Sequence, residues 1–141
     1  YKLIFMLLVR TKLGQSKTHG IGLFADQFIA KGTPIWKFKN GFDLKYTDKE
    51  LNQLAVPARD QFLHYCYSYS DEIGRKYVVC ADDYRFLNHS VNPNITNIEA
   101  IGEVEGIDIA LVDIQVGEEL LCDCREFDED CAKDINVGLA P

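Results

Sequence analysis

The sequence predicts a mainly-β domain with one short helical segment. Runs of β-branched and aromatic residues are short, turn residues separate them at near-regular spacing, and helical periodicity is confined to residues 47–63. With 141 residues, 47% of them hydrophobic, the chain is long enough for one hydrophobic core. We therefore expect a single domain over residues 1–141, with a core at about 10–127 and an acidic tail at 128–141.

The strands are predicted from continuous or alternating apolar residues between turn signals. Residues 3–10 form the first apolar run, and the polar, glycine-bearing residues 11–22 predict a loop. A turn dipeptide, Asn40-Gly41, follows the next two strands, because both residues tolerate positive φ. The strands predicted after the first are residues 23–28, 34–38, 75–80, 95–104, 107–113 and 120–123.

The helical segment has a start signal that the sequence makes explicit. Thr47 can cap the helix, and Glu50 three residues later completes a capping box. Leu51, Leu54 and Ala55 then follow helical spacing up to Pro57, after which one or two further helical turns are expected.

A period-two row of tyrosines, Tyr65, Tyr67 and Tyr69, comes next. That spacing predicts a strand with all three rings on one face.

Charge is distributed unevenly. The net charge is −7, but residues 1–40 carry +6, residues 41–98 carry −2 and residues 99–141 carry −11. An acidic end disfavours nucleic-acid binding and favours a basic protein or peptide partner, although most single carboxylates of such a stretch serve only as a solvated face.

Cysteines and apolar runs bear on the environment of the chain. Five cysteines without a secreted-type framework predict a reducing, cytoplasmic or otherwise intracellular setting. The apolar run at residues 3–9 is too short to span a bilayer and lacks a cleavage site, so neither membrane insertion nor a signal peptide is expected.

The most informative stretch is residues 85–94, Arg-Phe-Leu-Asn-His-Ser-Val-Asn-Pro-Asn. Its Asn, Ser and Pro residues break regular structure, which predicts a compact loop that presents amide and imidazole groups to a polar ligand. A long Asx-rich turn between strands is the simpler alternative. Two further segments flank it along the chain: Gly20-Ile21-Gly22-Leu23-Phe24-Ala25 before it, and Ile114-Gln115-Val116-Gly117-Glu118-Glu119-Leu120 after it.

These three segments, in this order, resemble the SET domain, a family of S-adenosylmethionine-dependent protein lysine methyltransferases. The resemblance covers roughly residues 10–127. It implies a β-clip of small curved sheets, with a C-terminal pseudoknot in which the end of the chain threads near residues 85–94.

The resemblance also assigns cofactor-binding residues. Gly20, Ile21, Gly22 and Leu23 would lie along the methionine part of S-adenosyl-L-methionine, where glycines allow close backbone approach. Asn88 and His89 match positions that hold the same cofactor, with a purely structural role for His89 as the alternative.

Other residues of the motif have structural interpretations. We expect Arg85 to pair with a C-terminal acid, Asn92 and Asn94 to form turns, and His19 to lie at the surface. Val91 stands where a zinc-binding cysteine is common in the family, which argues against that arrangement.

The sequence departs from the family pattern at Leu121-Cys122-Asp123-Cys124. Cys124 occupies the position of the catalytic tyrosine, and Cys122 the position that tunes the number of methyl groups added. A thiol is a shorter and weaker hydrogen-bond partner than a phenol, so either activity is reduced or another tyrosine supplies the hydroxyl. Tyr69 and Tyr84 are the main candidates, together with Tyr65 and Tyr67; cross-strand packing is the alternative role for each.

A metal site at Cys122, Cys124 and Cys131 would need a different spacing and a fourth ligand guessed from Cys66 or Cys80. We interpret these cysteines as small buried side chains and predict no metal.

Two hypotheses about function follow. One is methyl transfer from S-adenosyl-L-methionine to a lysine of a basic protein; the other is a non-catalytic SET-like binding module that keeps a cofactor cleft or peptide groove.

Overall fold

The computed structural model describes residues 6–131, and these residues form mainly strands, as predicted. The strands are β1 (Thr11–Gln15), β2 (Ile21–Ala25), β3 (Pro34–Lys37), β4 (Leu44–Thr47), β5 (Tyr67–Asp71), β6 (Gly74–Val79), β7 (Asn88–His89), β8 (Ile95–Ala100), β9 (Glu103–Ala110) and β10 (Leu121–Cys122). The helices are α1 (Asp48–Leu51) and α2 (Val56–Tyr65), with 3₁₀ turns at Asp83–Phe86 and Cys124–Glu126.

The strands form small separate sheets. Two three-stranded antiparallel sheets have the orders β3-β9-β8 and β4-β6-β5, and β1 pairs with β2 as an antiparallel hairpin. The fourth pair, β7 with β10, is parallel and joins residues that lie 33 positions apart in the chain, with Leu121 opposite Asn88 and Cys122 opposite His89.

The segment that ends in β10 is threaded between two earlier parts of the chain. On one side Leu120 N–H donates to Leu23 C=O at 2.8 Å, and Ala25 N–H donates to Glu118 C=O at 2.9 Å. On the other side Ser90 N–H donates to Cys122 C=O at 2.8 Å. This threading is the pseudoknot that the family resemblance implied.

One hydrophobic core lies beneath these sheets. Trp36 of β3 stacks on Tyr84 with ring centroids 5.2 Å apart. This contact places the residue before the 85–94 motif against the β3-β9-β8 sheet. The buried members are Val9, Leu23, Ala25, Ile29, Ile35, Trp36, Cys80, Tyr84, Ile95, Ala110, Ile114 and Leu120.

The helical segment begins as predicted. Thr47 Oγ1 accepts from Glu50 N–H, and Glu50 Oε2 accepts from Thr47 N–H, which completes the capping box of α1. Pro57 lies in the first turn of α2, where its missing N–H leaves no bond unmade. Neither helix of the described region has the length or apolar content to cross a bilayer.

Several sequence-based predictions were wrong. Residues 11–15, predicted as loop, form β1 because β2 offers an antiparallel partner that overrides their polar composition. The 85–94 stretch contains a 3₁₀ turn and the short strand β7 instead of irregular loop alone. Tyr65 ends α2, so only Tyr67 and Tyr69 share a strand.

Gly106 was predicted to separate two strands. It lies instead inside β9, with a φ of +69°. The register of β9 against β8 shifts between Ile98 and Ala100, opposite Gly106, as in a β-bulge. Such a bulge shifts the two-residue alternation of side chains along the strand. Glu105 and Asp108, three residues apart, would face opposite sides of a regular strand. Around the bulge, Asn97 Nδ2 donates both to Glu105 C=O and to Asp108 Oδ1, at 2.9 and 2.7 Å.

Gly106→Ala should destabilise the fold by about 2–4 kcal/mol, since it adds backbone strain at positive φ and a steric clash. A Cβ at this position would lie 2.3 Å from Asn97 Oδ1 and 2.6 Å from Ile98 C=O. Urea unfolding measures the difference. Gly102→Ala is the matched control, because Gly102 also has positive φ but no atom within 4 Å of the added carbon. Equal losses in the two variants would contradict the close packing at Gly106.

Candidate cofactor cleft

Asn88 joins the three segments that the sequence singled out. Its Nδ2 lies 3.0 Å from His19 C=O, 3.2 Å from Ile21 C=O and 2.9 Å from Glu119 Oε1. One side-chain amide therefore holds the glycine segment, the motif strand β7 and the C-terminal segment together. The structure brings together the glycine pair and the Asn88-His89 pair, which are about 67 residues apart in the chain.

Gly22 is required for this junction. A Cβ at position 22 would lie 2.2 Å from Glu119 Oε1, so any side chain there would displace the carboxylate that Asn88 contacts. Gly20, with a φ of +49°, has no atom within 4 Å of the corresponding position and leaves open space beside the carbonyls. Ile21 is 54% exposed, whereas the Leu23 side chain is fully buried in the core and can face the cleft only through its backbone.

The junction has the chemistry to hold an ammonium group. Carbonyl oxygens have two lone pairs each and a carboxylate about four, so His19, Ile21 and Glu119 keep acceptor capacity beyond their contacts with Asn88. An amino-acid ammonium beside these acceptors would be bound by charge-assisted hydrogen bonds. The residues present thus fit the methionine end of a sulfonium nucleoside.

Asn94 supports the site in a way that the sequence-based expectation of a turn residue missed. Its Nδ2 donates to Glu119 C=O and its Oδ1 accepts from Leu121 N–H, both at 2.8 Å. Its own N–H donates to Leu121 C=O at 3.0 Å. Asn94 therefore clamps the threaded segment in register. The family motif that contains it was the only available signal, because an isolated asparagine usually indicates a turn.

His89 lies between β7 and the turn after β10. Its Nδ1 accepts from Cys124 N–H at 3.2 Å, lies 3.3 Å from Cys124 Sγ and 3.7 Å from Asp123 Oδ1. The Asp123 carboxylate is bound by Arg125, whose Nε donates at 2.8 Å, and these hydrogen bonds lower the pKa of Asp123 to about 2.

Cys122 and Cys131 are buried, as the interpretation as small buried side chains expected, but two of the three cysteines are also bonded to each other. Cys124 and Cys131 form a disulfide with a Cα–Cα distance of 5.6 Å. The Cys124 sulfur, at the position of the family tyrosine, is thus bonded covalently in this structure. Cys122 is a buried free thiol, and burial raises its pKa far above the usual range, with Asp108 as the next contribution.

The tyrosines of β5 contact a buried carboxylate rather than each other. Tyr67 and Tyr69 hydroxyls donate to Glu105 at 2.9 and 2.7 Å, and Lys45 forms an ion pair with the same group. Burial raises the pKa of both tyrosines, and the adjacent carboxylate adds to this effect. Tyr69, a candidate substitute for the catalytic tyrosine, therefore has a structural partner.

Tyr84, the other candidate, donates its hydroxyl to Asp108 Oδ2 at 2.7 Å, while Asn97 donates to Asp108 Oδ1. Burial raises the pKa of Asp108 to about 6, against the lowering effect of these two hydrogen bonds. The negative charge of Asp108 also contributes to the raised pKa of Cys122, the residue at the family position that tunes the number of methyl groups added.

Arg85 and His19 flank the junction at Asn88. The Arg85 guanidinium lies 5.1 Å from the Phe86 ring centroid and 6.0 Å from that of Tyr65, and within residues 6–131 these contacts replace the predicted ion pair. His19 is exposed, as predicted, and contributes its carbonyl to Asn88.

Comparisons with known proteins identify the family and the fold of this chain. A profile of the SET domain matches residues 20–125. Three structures of Polycomb Repressive Complex 2 from Chaetomium thermophilum have the same fold over about nine-tenths of this chain. A humanised mutant bound to the inhibitor GSK126 gives a TM-score of 0.63 at 21% identity, covering 89% of this chain and 16% of the matched one.

The other two structures are an apo form with two substitutions in Ezh2 and an autoinhibited form bound to S-adenosylmethionine. They give TM-scores of 0.66 and 0.63 at 23% and 21% identity, covering 90% and 92% of this chain. This chain corresponds to only 16–17% of the length of those chains. At such identity these structures establish a shared fold, whereas the profile spans three-quarters of the sequence. The chain belongs to the SET domain family.

Proposed function

We propose that this chain is an S-adenosyl-L-methionine-dependent methyltransferase domain that acts on a lysine of a basic protein or peptide. The observation that carries the proposal is the Asn88 side chain, which binds two carbonyls of the glycine segment and the carboxylate of Glu119. This junction supplies acceptors for the cofactor's ammonium group at the place where the family binds its methionine part.

S-adenosyl-L-methionine, when bound, supplies an electrophilic methyl group on its sulfonium. The chain's own contribution is to bind and orient. Gly20 and Gly22 allow close approach of the backbone, Ile21 C=O and Asn88 bind the amino-acid end, and β7 positions His89 beside it.

The target amine needs an orienting group, and Cys124 does not supply it in the disulfide form. We assign this role to Asp108, which is held by the buried Tyr84 and acts electrostatically on Cys122, the residue at the position of a channel aromatic. An ionised Asp108 would attract the substrate ammonium and accept its proton, so that an unprotonated amine can face the methyl group. The hydroxyl of Tyr84 holds the carboxylate in place.

The proposed substrate class follows from charge. Glu126 and Glu129 follow β10 and are exposed, and they belong to an end of the chain with a formal charge of −11 over residues 99–141. Such a surface attracts a lysine-rich segment by long-range electrostatics. We propose that this transfer of a methyl group from the cofactor to a lysine takes place in the cytoplasm or another intracellular compartment.

A non-catalytic binding module is the second candidate. The disulfide at Cys124 favours it, because the position of the family tyrosine is occupied by a sulfur bonded to Cys131. In that case the cleft would bind the cofactor or a basic peptide without methyl transfer.

Calorimetric titration tests the cofactor site. The wild-type chain should bind S-adenosyl-L-methionine, and Asn88→Ala should weaken binding by about tenfold or more, since it removes the amide that joins the three segments. Asn92→Ala is the control, because Asn92 is exposed and donates a hydrogen bond to Ser90 Oγ from its backbone N–H, which the substitution keeps. Thermal unfolding of each variant separates lost binding from lost structure. Absence of cofactor binding by the wild-type chain would refute the methyltransferase and would leave only a module that binds a basic peptide.

Cys124→Tyr tests the catalytic assignment. If residue 124 faces the amine, a phenol there should raise methyl transfer to a pool of basic peptides by about tenfold or more over wild type. Cys124→Ser is the control, because it also removes the disulfide but adds no phenol. If the tyrosine variant is no faster than the serine variant, position 124 does not face the amine. If all forms bind cofactor without transferring methyl groups, the chain is a binding module.

Asp108→Asn should slow transfer at neutral pH by about tenfold while stabilising the fold. In the folded wild type the Asp108 pKa is about 6 instead of 3.8, so the native state retains a proton that the unfolded chain loses, and stability falls as pH rises from about 4 to 6. The variant has no such proton to lose. Its free energy of unfolding should therefore equal that of the wild type at pH 4 and exceed it by on the order of 2 kcal/mol at pH 7.

Urea unfolding across this pH range measures the difference between the two proteins. The ionisable groups that act on Asp108, or on which it acts, are Tyr84, Glu126, Tyr67, Cys80 and Cys122. A difference independent of pH would contradict the raised pKa, and an unchanged transfer rate would remove Asp108 from the proposed reaction.

A further inference from the structure

His89, Cys124 and Cys131 converge at one point beside the cleft. One ligand atom from each, the imidazole Nδ1 and the two Sγ atoms, lies within 4.8 Å of the other two. Cys131 is 2% exposed, and the other two residues are partly buried. No role in cofactor binding or amine orientation assigned above uses the Cys131 side chain.

The fold brings these residues together by contacts that do not depend on the disulfide. The parallel pairing of β7 with β10 places Cys122 opposite His89, so the chain reaches Cys124 within hydrogen-bonding distance of the imidazole. The return to Cys131 is fixed on β5: Ser68 N–H donates to Asp128 Oδ1 at 3.0 Å, and Glu129 N–H donates to Ser68 C=O at 2.9 Å.

An ion pair between Arg75 and Asp130 fixes the residue immediately before Cys131. Reduction of the disulfide therefore leaves two thiols and an imidazole held close together by the surrounding backbone.

Two thiolates and one imidazole nitrogen are a ligand set that Zn²⁺ prefers, with bonds of about 2.3 Å to sulfur and about 2.0–2.1 Å to nitrogen. The present separation of 3.3 Å between Cys124 Sγ and His89 Nδ1 is close to the distance between two ligands of one tetrahedral ion. The sulfur atoms would move from bonding distance to a similar separation, which the 5.6 Å Cα–Cα distance permits.

We propose that His89, Cys124 and Cys131 form a redox-dependent Zn²⁺ site, occupied when the two cysteines are reduced and abolished by the disulfide. Binding releases the two thiol protons and forms two Zn–S bonds and one Zn–N bond. The bond to Nδ1 replaces the long hydrogen bond from Cys124 N–H.

Oxidation by a small-molecule disulfide reverses the process. Cys124 and Cys131 lose two electrons and form their disulfide, the oxidant is reduced to two thiols, and Zn²⁺ returns to solution.

The fourth position of the ion is left for water. Asp123 Oδ1 lies 3.7 Å from His89 Nδ1 but is bound by Arg125. Three protein ligands with one open position differ from a closed four-cysteine site. The set shares Cys124 and Cys131 with the cysteine site that was rejected from the sequence, but it uses His89 in place of Cys122. Val91, at the position of the zinc-binding cysteine common in the family, is 65% exposed and is not part of it.

The proposal is independent of methyl transfer, and its test needs neither cofactor nor substrate. The full chain, reduced with a phosphine and freed of metal, is titrated with Co²⁺ and then with Zn²⁺. One equivalent of Co²⁺ should give thiolate charge-transfer absorption and the visible bands of tetrahedral cobalt, and one equivalent of Zn²⁺ should abolish them. Oxidised glutathione should release the metal and consume two thiols per chain.

Variants assign the ligands. Cys131→Ser should weaken Zn²⁺ binding on the order of 100-fold, and His89→Gln by about tenfold, because each removes one of three protein ligands. Cys66→Ser is the matched control, because Cys66 follows α2 and lies outside the cluster, and it should bind like wild type. Failure of the reduced wild type to bind stoichiometric metal would overturn the proposal, as would undiminished binding by Cys131→Ser. Loss of cofactor binding with retained metal binding would instead refute only the proposed function.

Discussion

The architecture depends on holding one threaded strand between two earlier parts of the chain. Residues 118–122 donate and accept backbone hydrogen bonds with β2 on one side and with the 88–94 motif on the other. Two side-chain amides stabilise this arrangement where backbone pairing alone is short: Asn88 contacts Glu119, and Asn94 contacts Glu119 and Leu121. Removal of the Asn88 amide would leave three acceptors without this donor, and removal of the Asn94 amide would leave Glu119 C=O without a donor and Leu121 N–H without an acceptor. The same contacts that close the fold therefore build the candidate cofactor site at Asn88.

The second constraint is the placement of acidic side chains within the sheets. Glu105 and Asp108 lie on either side of the bulge at Gly106, and each carboxylate accepts from tyrosine hydroxyls of its own: Tyr67 and Tyr69 donate to Glu105, and Tyr84 donates to Asp108. Buried carboxylates raise their own pKa and that of neighbouring acids, so this arrangement opposes folding unless it is satisfied by hydrogen bonds. Of the two carboxylates, Asp108 acts electrostatically on Cys122, at a position where the family resemblance implied an aromatic side chain. This difference in chemistry, more than the fold, distinguishes the chain from the pattern.

Much of the fold and part of the site could be predicted from the sequence. The capping box at Thr47 and Glu50 is a local signal and was confirmed, as was the strand beginning at Pro34. The threading came from the family resemblance alone, because hydrophobic periodicity gives no information on which distant strands pair. β1 was missed because its partner supplies most of its stabilisation, and the boundary at Gly106 was wrong because a glycine within a strand can mark a bulge as well as a turn.

The contacts of single side chains were the least predictable part. Nothing in the local sequence of Asn94 distinguishes a clamp on a distant strand from a turn residue. The convergence of Cys131 with His89 depends on how Ser68 and Arg75 anchor the segment before it, which is a tertiary property. The spacing of the cysteines alone therefore led to an interpretation as separate small side chains, whereas the structure pairs two of them.

The central claim is that the glycine segment, Asn88 and Glu119 form a single binding site for a sulfonium nucleoside. The most direct measurement is a crystal structure of the full chain with S-adenosylhomocysteine, the demethylated product. The account predicts the amino-acid end of the ligand between Ile21 C=O and the Asn88 side chain, with its sulfur directed towards Cys122 and Asp108. Ligand density at any other place on the molecule would contradict the account.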